Sequence, residues 1–239
     1  MTAAIIAVAQ RKGGSGKTTL AAHLATTWAM SGHDVALIDT DPQASLTQWY
    51  RRREERLGHS HTGLDFTTAI GWRAAGEIFR HAREHEIVLV DSPANADGDV
   101  RATVRAAGLA LVPVQPSPPD VWATLLTLDM AQHEGVPALL VLNRVPARAS
   151  LTAAMRARLA DYDVGLATSA VGSRVGLAAA FADGHGIVES AEGSTAAAEI
   201  AALAAEILEL LPLECRPPVR AAGPAVSPVE VERLLAFPS

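Results

Sequence analysis

The chain has 239 residues, 49% of them hydrophobic and 19% charged, enough to bury a core unaided as one large α/β domain or two small ones. Its one cysteine, Cys215, excludes a disulfide framework, a four-cysteine zinc site and any cluster held by cysteines of one chain. Apolar stretches well short of a membrane span, no basic segment before the first apolar residues and a formal charge of -6 predict a cytosolic protein with little general attraction to polyanions.

The first apolar run, Ile5 to Ala9, reads as a buried strand, and helical composition resumes over Gly16 to Met30. Between them lies Arg11-Lys12-Gly13-Gly14-Ser15-Gly16-Lys17-Thr18-Thr19. Strand, glycine-rich turn, Lys-Thr and helix form the context of a phosphate loop, in which backbone N-H groups and the helix N-terminus cradle phosphates. Gly13, Gly14, Ser15, Gly16, Lys17, Thr18 and Thr19 are the nucleotide-binding candidates. Lys17 is placed to reach the β and γ phosphates, and the Thr18 hydroxyl to ligate Mg²⁺. Of the 20 basic residues only Lys12 and Lys17 are lysines. A GC-rich coding bias accounts for the arginines but not for where the two exceptions fall; a compact ammonium fits a phosphate cradle where a planar guanidinium does not. The ordinary loop pattern fails at Arg11, which stands where its first glycine belongs, and Lys12 is an addition that such a loop does not need.

A second strand, Val35 to Ile38, ends in Asp39-Thr40-Asp41-Pro42-Gln43, ahead of a helix over Ser45 to Leu57. The Arg51-Arg52-Arg53-Glu54-Glu55-Arg56 run is read as a salt-bridged exposed face. A helix over Trp72 to His85 places His81 and His85 four apart, a spacing that can hold zinc, with His59 and His61 nearby; lacking a cysteine or clear third ligand, these are read as solvated histidines. Ile87 to Val90 is a strand ending in Asp91, the arrangement in which a carboxylate holds a Mg²⁺-bound water.

Leu109 to Val114, a helix over Val121 to His133, and Ala138 to Leu142 with Asn143 at its end come next. Then follow a helix over Leu151 to Leu159, a strand over Val164 to Val171, and helices over Val175 to Ala182 and Thr195 to Leu211. Nearly all-apolar strands alternating with helices predict one α/β domain over 1 to 211, with a mostly parallel twisted sheet covered on both faces. Residues 212 to 239 read as a Pro-rich linker and a short helix opened by Ser227-Pro228-Val229-Glu230.

Lys-Gly-Gly-x-Gly-Lys-Thr, Asp-x-Asp-Pro-Gln and the apolar strand ending in Asp91, in this order, resemble the ParA/MinD family of deviant Walker A P-loop ATPases. The segment from Val112 to Trp122 and the region from Ser173 to Leu211 are most like the small plasmid-type ParA proteins. The resemblance implies that Lys12 crosses a dimer interface to the ATP of the partner subunit, that Asp41 positions the attacking water and that Asp39 supports Mg²⁺ through its waters. It also implies that Asn143 reads the adenine. It departs from the family after Pro93, where a second Pro or a Gly is usual and Ala94 stands here.

From Arg144 to Arg174, five arginines face Asp161 and Asp163, a net of +3. The family carries non-specific DNA binding in this part, which makes Arg148 and Arg174 the DNA-binding candidates. The implied protein is a cytoplasmic, nucleoid-associated, slow ATPase requiring Mg²⁺, stimulated by a ParB-like or cargo-adaptor protein, that segregates or positions a plasmid, chromosome or protein cluster. Three rival readings are weaker on the residues. MinD-like membrane association needs basic flanks on the last helix, which has one Arg and two Glu. Iron-sulfur carriers on this fold need paired cysteines, and a metabolic ligase needs a substrate pocket that the residues do not reveal.

Overall fold

The computed structural model describes residues 3–94, 97–147, 149–160, 162 and 164–211. The expectations for Arg148, Cys215 and the Pro-rich tail lie outside these residues.

Seven strands form one all-parallel sheet. In chain order they are β1 (Ala4–Val8), β2 (Val35–Asp39), β3 (Asp65–Thr68), β4 (Ile87–Asp91), β5 (Leu109–Val114), β6 (Ala138–Val145) and β7 (Gly165–Gly172). Across the sheet the order is β3-β2-β4-β1-β5-β6-β7. The helices are α1 (Lys17–Met30), α2 (Ser45–Leu57), α3 (Ala74–His81), α4 (Asp97–Arg105), α5 (Pro118–His133), α6 (Ala149–Ala160), α7 (Val175–Ala182), the single turn α8 (Ile187–Ser190) and α9 (Thr195–Leu210).

Alternate residues of each strand point to opposite faces, and the core divides accordingly. Ile6, Val8, Leu37, Leu89, Leu111 and Val141 pack with α1, α2, α7, α8 and α9. Val112, Val114, Leu140 and Leu142 pack with α4, α5 and α6 on the other face, where Ile38, Val88 and Val90 meet α3. A sheet buried on both sides explains why its strands read as continuous apolar runs.

The structure corrects three details. β3 was not expected; its alternation is weak and none of its four residues is buried, as befits an edge strand. The helix expected over Trp72 to His85 is a 3-10 turn at Gly71–Arg73 followed by α3, which stops at His81. Tight turns, with Arg83 N-H donating to the Arg80 carbonyl and Glu84 N-H to that of His81, then redirect the chain into β4. α4 was also missed, a mostly polar nine-residue helix. At the opposite edge, the free backbone of β7 is covered by side chains: Glu206 accepts from the Thr168 and Ser169 N-H groups, and Arg156 donates to the Ala167 and Thr168 carbonyls. Covering an edge in this way prevents strand pairing with other chains.

His23 of α1 is wholly buried. Its Nδ1 accepts from Ile187 N-H at 3.0 Å and its Nε2 donates to the Leu177 carbonyl at 3.1 Å, a neutral ring joining α1 to α7 and α8. Burial lowers its pKa to about 4. The folded chain therefore binds fewer protons than the unfolded one between the ordinary histidine value and about 4, so stability is complete above the former and is lost as pH falls toward the latter. Urea unfolding at pH 5 should show a loss of about 2 kcal/mol relative to pH 7.5 from this group, and His23→Gln should flatten that dependence.

Candidate nucleotide-binding site

In a parallel sheet with this order the chain leaves β1 toward a point where β4 and β5 flank it on either side, and crevices at the carboxyl ends of strands are where such sheets bind ligands. Residues 11 to 16 occupy that point. Gly14 and Gly16 have φ of 80° and 89°, which lets the loop wrap so that its N-H groups converge ahead of α1. Space beside Gly13 and Gly14 is open, whereas a Cβ on Gly16 would lie 2.6 Å from Asn143 Nδ2. Gly16→Ala combines that clash with left-handed backbone and should cost about 1–3 kcal/mol in thermal unfolding. Gly13→Ala should leave stability within about 0.5 kcal/mol.

Lys17 is buried at the first turn of α1. Desolvation lowers its pKa, and the charges of Asp91 and Asp41 oppose that shift. Thr18 and Thr19 follow it, both half-buried. The β2 and β4 registers pair Asp39 with Asp91, and β1 sets Val8 beside Asp91, so three strand ends deliver Asp39, Asp91 and the loop to one level. Thr40 ties β2 to β4 through the Asp91 carbonyl at 2.8 Å, and Ser92 Oγ donates to the Val8 carbonyl at 2.9 Å.

Asp91 is 1% exposed and neither of its carboxylate oxygens has a well-formed hydrogen bond. Burial, ahead of every other cause, pushes its pKa up to about 7; Asp39 and Asp41 add to the rise, while Thr18 and Lys17 favour the charged form. A buried carboxylate left without partners beside a threonine hydroxyl and a lysine is a poor arrangement by itself. It suits a hydrated divalent cation carrying phosphate, so the donor set fits Mg²⁺. The buried Ser15 Oγ also lacks a partner.

Asp39 is placed differently from a free Mg²⁺ partner. Its Oδ1 accepts from Asp41 N-H at 3.0 Å, and its Oδ2 accepts from Thr47 N-H at 2.9 Å and Thr47 Oγ1 at 2.7 Å. Those bonds cap the third residue of α2, whose preceding residue Ala44 is left-handed and supplies no side-chain cap. Desolvation raises the Asp39 pKa, with the Thr47 hydroxyl pulling it back. Asp41 stands at the half-buried mouth of the site, one oxygen accepting from Gln43 N-H at 2.9 Å.

Asn143, at the end of β6, donates to the Ser15 carbonyl at 2.8 Å and accepts from Arg144 N-H at 3.0 Å. One amide hydrogen and one lone pair remain. It lines a cleft of about 310 Å³ together with Gly16, Thr19, Leu20, Arg174 and Leu177. A larger groove of about 670 Å³, between α2 and β3, lies away from the loop. Arg174 is thus on the wall of the smaller cleft, its guanidinium 2.6 Å from Glu199, and Arg156 is engaged at the β7 edge. The two do not form a bare basic patch.

Lys12 does not point into its own glycine-rich loop. Its Nζ lies 2.7 Å from Oδ1 of Asp120, on α5, with the lysine side chain 37% exposed. Asp120 also accepts a short hydrogen bond from the hydroxyl of Ser117, the cap of α5. The loop's leading edge is held by Gln10, buried, which donates to Thr124 Oγ1 at 2.9 Å and accepts from Thr127 Oγ1 at 3.0 Å, while Gln115 Nε2 donates to the Gly14 carbonyl at 2.9 Å. Asp120, Gln10, Gln115 and Thr47 carry no local motif. Asp120 and Gln115 sit in the segment similar to small ParA proteins, which was the only signal available in the sequence.

Residues 6–187 match the model of the CobQ/CobB/MinD/ParA nucleotide binding domain. The chain belongs to this family. Among curated ParA/MinD-type relatives, maintenance of carboxysome distribution protein A of Halothiobacillus neapolitanus is 29% identical over 213 residues, 85% of this chain and 95% of that protein. Among solved structures, MinD of Aquifex aeolicus superposes with a TM-score of 0.73 at 20% identity, covering 87% of this chain and 98% of its own. A putative plasmid partition protein of Borrelia burgdorferi bound to AMPPNP gives 0.69 at 17% identity, covering 87% and 99%. These likenesses bear out the ParA/MinD fold of one α/β domain with a parallel sheet between two helical layers. No helix among the described residues is long and apolar enough to cross a membrane.

Proposed function

We propose that this chain is a ParA-type ATPase that binds ATP with Mg²⁺, dimerises around it, binds DNA without sequence preference and hydrolyses ATP slowly until a partner protein stimulates it. In this reading the cycle positions or segregates a cargo: a plasmid, a chromosome or a protein cluster. The observation that carries it is Lys12, a half-exposed second lysine ahead of the glycines, paired outside its own cradle. The named activities of relatives in carboxysome distribution and plasmid partitioning support the positioning role.

The loop N-H groups and Lys17 hold the phosphates, with Ser15 and Thr19 beside them. Thr18 would ligate the Mg²⁺ and Asp91 would hold one of its waters; the ion would offset phosphate charge. Asp39 serves that site from behind: by capping α2 and holding the Asp41 N-H, it sets where Asp41 stands and keeps a negative charge near the ion. Asp41 orients the attacking water. Asn143 keeps one hydrogen and one lone pair for an adenine edge while fixing the loop. Lys12 serves the ATP of the second subunit, which requires its bond to Asp120 to open.

Arg148 and Arg174 are assigned to the DNA face, displayed twice in the dimer; for Arg174 to reach a phosphate its pair with Glu199 must also open. Light scattering with ATP, ADP and no nucleotide tests the cycle: a dimer with ATP alone is expected, and a monomer in all three conditions overturns the reading. DNA retardation should follow the same nucleotide dependence, weaken steeply with salt and be reduced by Arg148→Ala combined with Arg174→Ala.

A further inference from the structure

We propose that Asp65, His81 and His85 form a binding site for a divalent transition metal, zinc by its ligand set, at the opposite end of the sheet from the phosphate loop. Asp65 opens β3, His81 is the last residue of α3, and His85 lies in the turn before β4. Strands of a parallel sheet run one way, so these residues sit at the amino ends of strands whose carboxyl ends carry Asp39 and Asp91. In the β2–β3 register Asp65 lies opposite Ala36, three residues before Asp39, a separation of roughly 10 Å along the strand, and the nucleotide site does not share these groups.

Three observations point to a ligand. His81 is 1% exposed, and its buried Nδ1 has no hydrogen-bond partner. That nitrogen is 3.3 Å from Asp65 Oδ2, close enough for attraction but without the angle of a hydrogen bond. His85 Nε2 approaches the same oxygen at 3.0 Å. One oxygen and two ring nitrogens all lie within 4.8 Å of one another. Zinc bonds of 2.0–2.2 Å in a tetrahedron give ligand-to-ligand edges of about 3.3 Å, so the spacing needs little adjustment and leaves a fourth position for water.

One of the ligands already has a partner that orients it. His85 Nδ1 lies 2.9 Å from Asp34 Oδ1, and a ring that donates there turns its Nε2 lone pair toward Asp65, the carboxylate-histidine-metal arrangement that orients metal ligands. His81 requires one change. Its Nε2 now faces Arg80 Nη2 at 2.7 Å; with a metal on Nδ1 the Nε2 carries the hydrogen, so the exposed Arg80 side chain must swing away, leaving Glu77, 3.9 Å distant, to accept. Without a metal, His85 bridges Asp34 and Asp65, and the His81 nitrogen stays unsatisfied. Metal binding would satisfy it and tie an edge strand bonded only to β2 to the end of α3.

The test is zinc uptake by the full, nucleotide-free chain in millimolar Mg²⁺, measured by competition with a chromogenic chelator, with Co²⁺ substitution read by visible absorption. One Zn²⁺ per chain and an intense tetrahedral Co²⁺ spectrum are expected. Asp65→Asn combined with His85→Ala, which leaves the buried His81 in place, should weaken uptake at least 100-fold, with circular dichroism checking that the fold is kept; Asp34→Asn, at an exposed position, should weaken it by about 10–100-fold. Zn²⁺ should raise the thermal midpoint of the parent chain but not of the double variant, and His59→Ala with His61→Ala should change neither readout. No uptake by the parent chain, or uptake and stabilisation unchanged in the double variant, would overturn the proposal.

Discussion

Lys12→Ala is expected to lower partner-stimulated ATP hydrolysis by on the order of 10³-fold, the effect of withdrawing a cation supplied in trans to a transferring phosphoryl group, and to abolish the ATP-dependent dimer in light scattering. Binding of ATP by the monomer should stay within about threefold, since the Lys12 ammonium rests on Asp120 rather than over its own loop. Lys17→Ala is the contrasting variant: Lys17 is buried against Asp91 and Asp41, so its loss should remove nucleotide binding itself. A Lys12→Ala protein that dimerises with ATP and hydrolyses normally would sink the cross-subunit role. The Asp120 pair competes with dimerisation. Lys12 is half-exposed and Asp120 buried; taking the pair at the upper end of an exposed ion pair, about 1 kcal/mol, Asp120→Ala should lower the ATP concentration needed for half-maximal dimer by a factor of about 5.

Asp41→Ala is the second large effect. The Asp41 carboxylate reaches the mouth of the site on a turn fixed from both ends, its own N-H held by Asp39 and its Oδ1 by Gln43 N-H. Removing a group that orients or deprotonates the nucleophile costs about 10²–10⁴-fold in rate. ATP affinity should change little, because in the proposed reading the loop and Lys17 hold the phosphates, and the variant should accumulate as an ATP-bound dimer that stays on DNA. Single-turnover hydrolysis beside equilibrium ATP binding separates the two outcomes; a parallel loss of both would assign Asp41 to binding instead.

Motifs whose parts are adjacent in the chain were legible before the structure. The loop over 11 to 19, the strand ends at Asp39 and Asp91, and the helices Ser45–Leu57 and Val175–Ala182 all follow from local spacing and composition. Elements lacking an apolar signature were not: β3 is Asp-Phe-Thr-Thr with no buried residue, and α4 is mostly polar. The end of α3 was overrun because residues 82 to 85 keep helical composition while the chain must turn into β4. Missing β3 also concealed Asp65, and with it the third ligand that the His81 and His85 spacing lacked. The basic count between Arg144 and Arg174 was similarly blind to partners, since Glu199 and the β7 carbonyls engage two of those arginines.

The sequence by itself therefore determined the fold class, the glycine-rich loop between β1 and α1 with its two lysines, and the carboxylates that end β2 and β4, because burial on both faces and a tight glycine turn impose patterns on neighbouring residues. Only the tertiary structure decided what those groups meet. Asp39 caps α2, Asn143 ties the loop to β6, and neither carboxylate oxygen of Asp91 has a well-formed hydrogen bond. Lys12 rests on Asp120 because β1 and β5 are paired neighbours in the sheet, which brings the loop after one against the helix after the other. Such pairings join segments far apart in the chain through strand order and register, quantities that no local pattern carries.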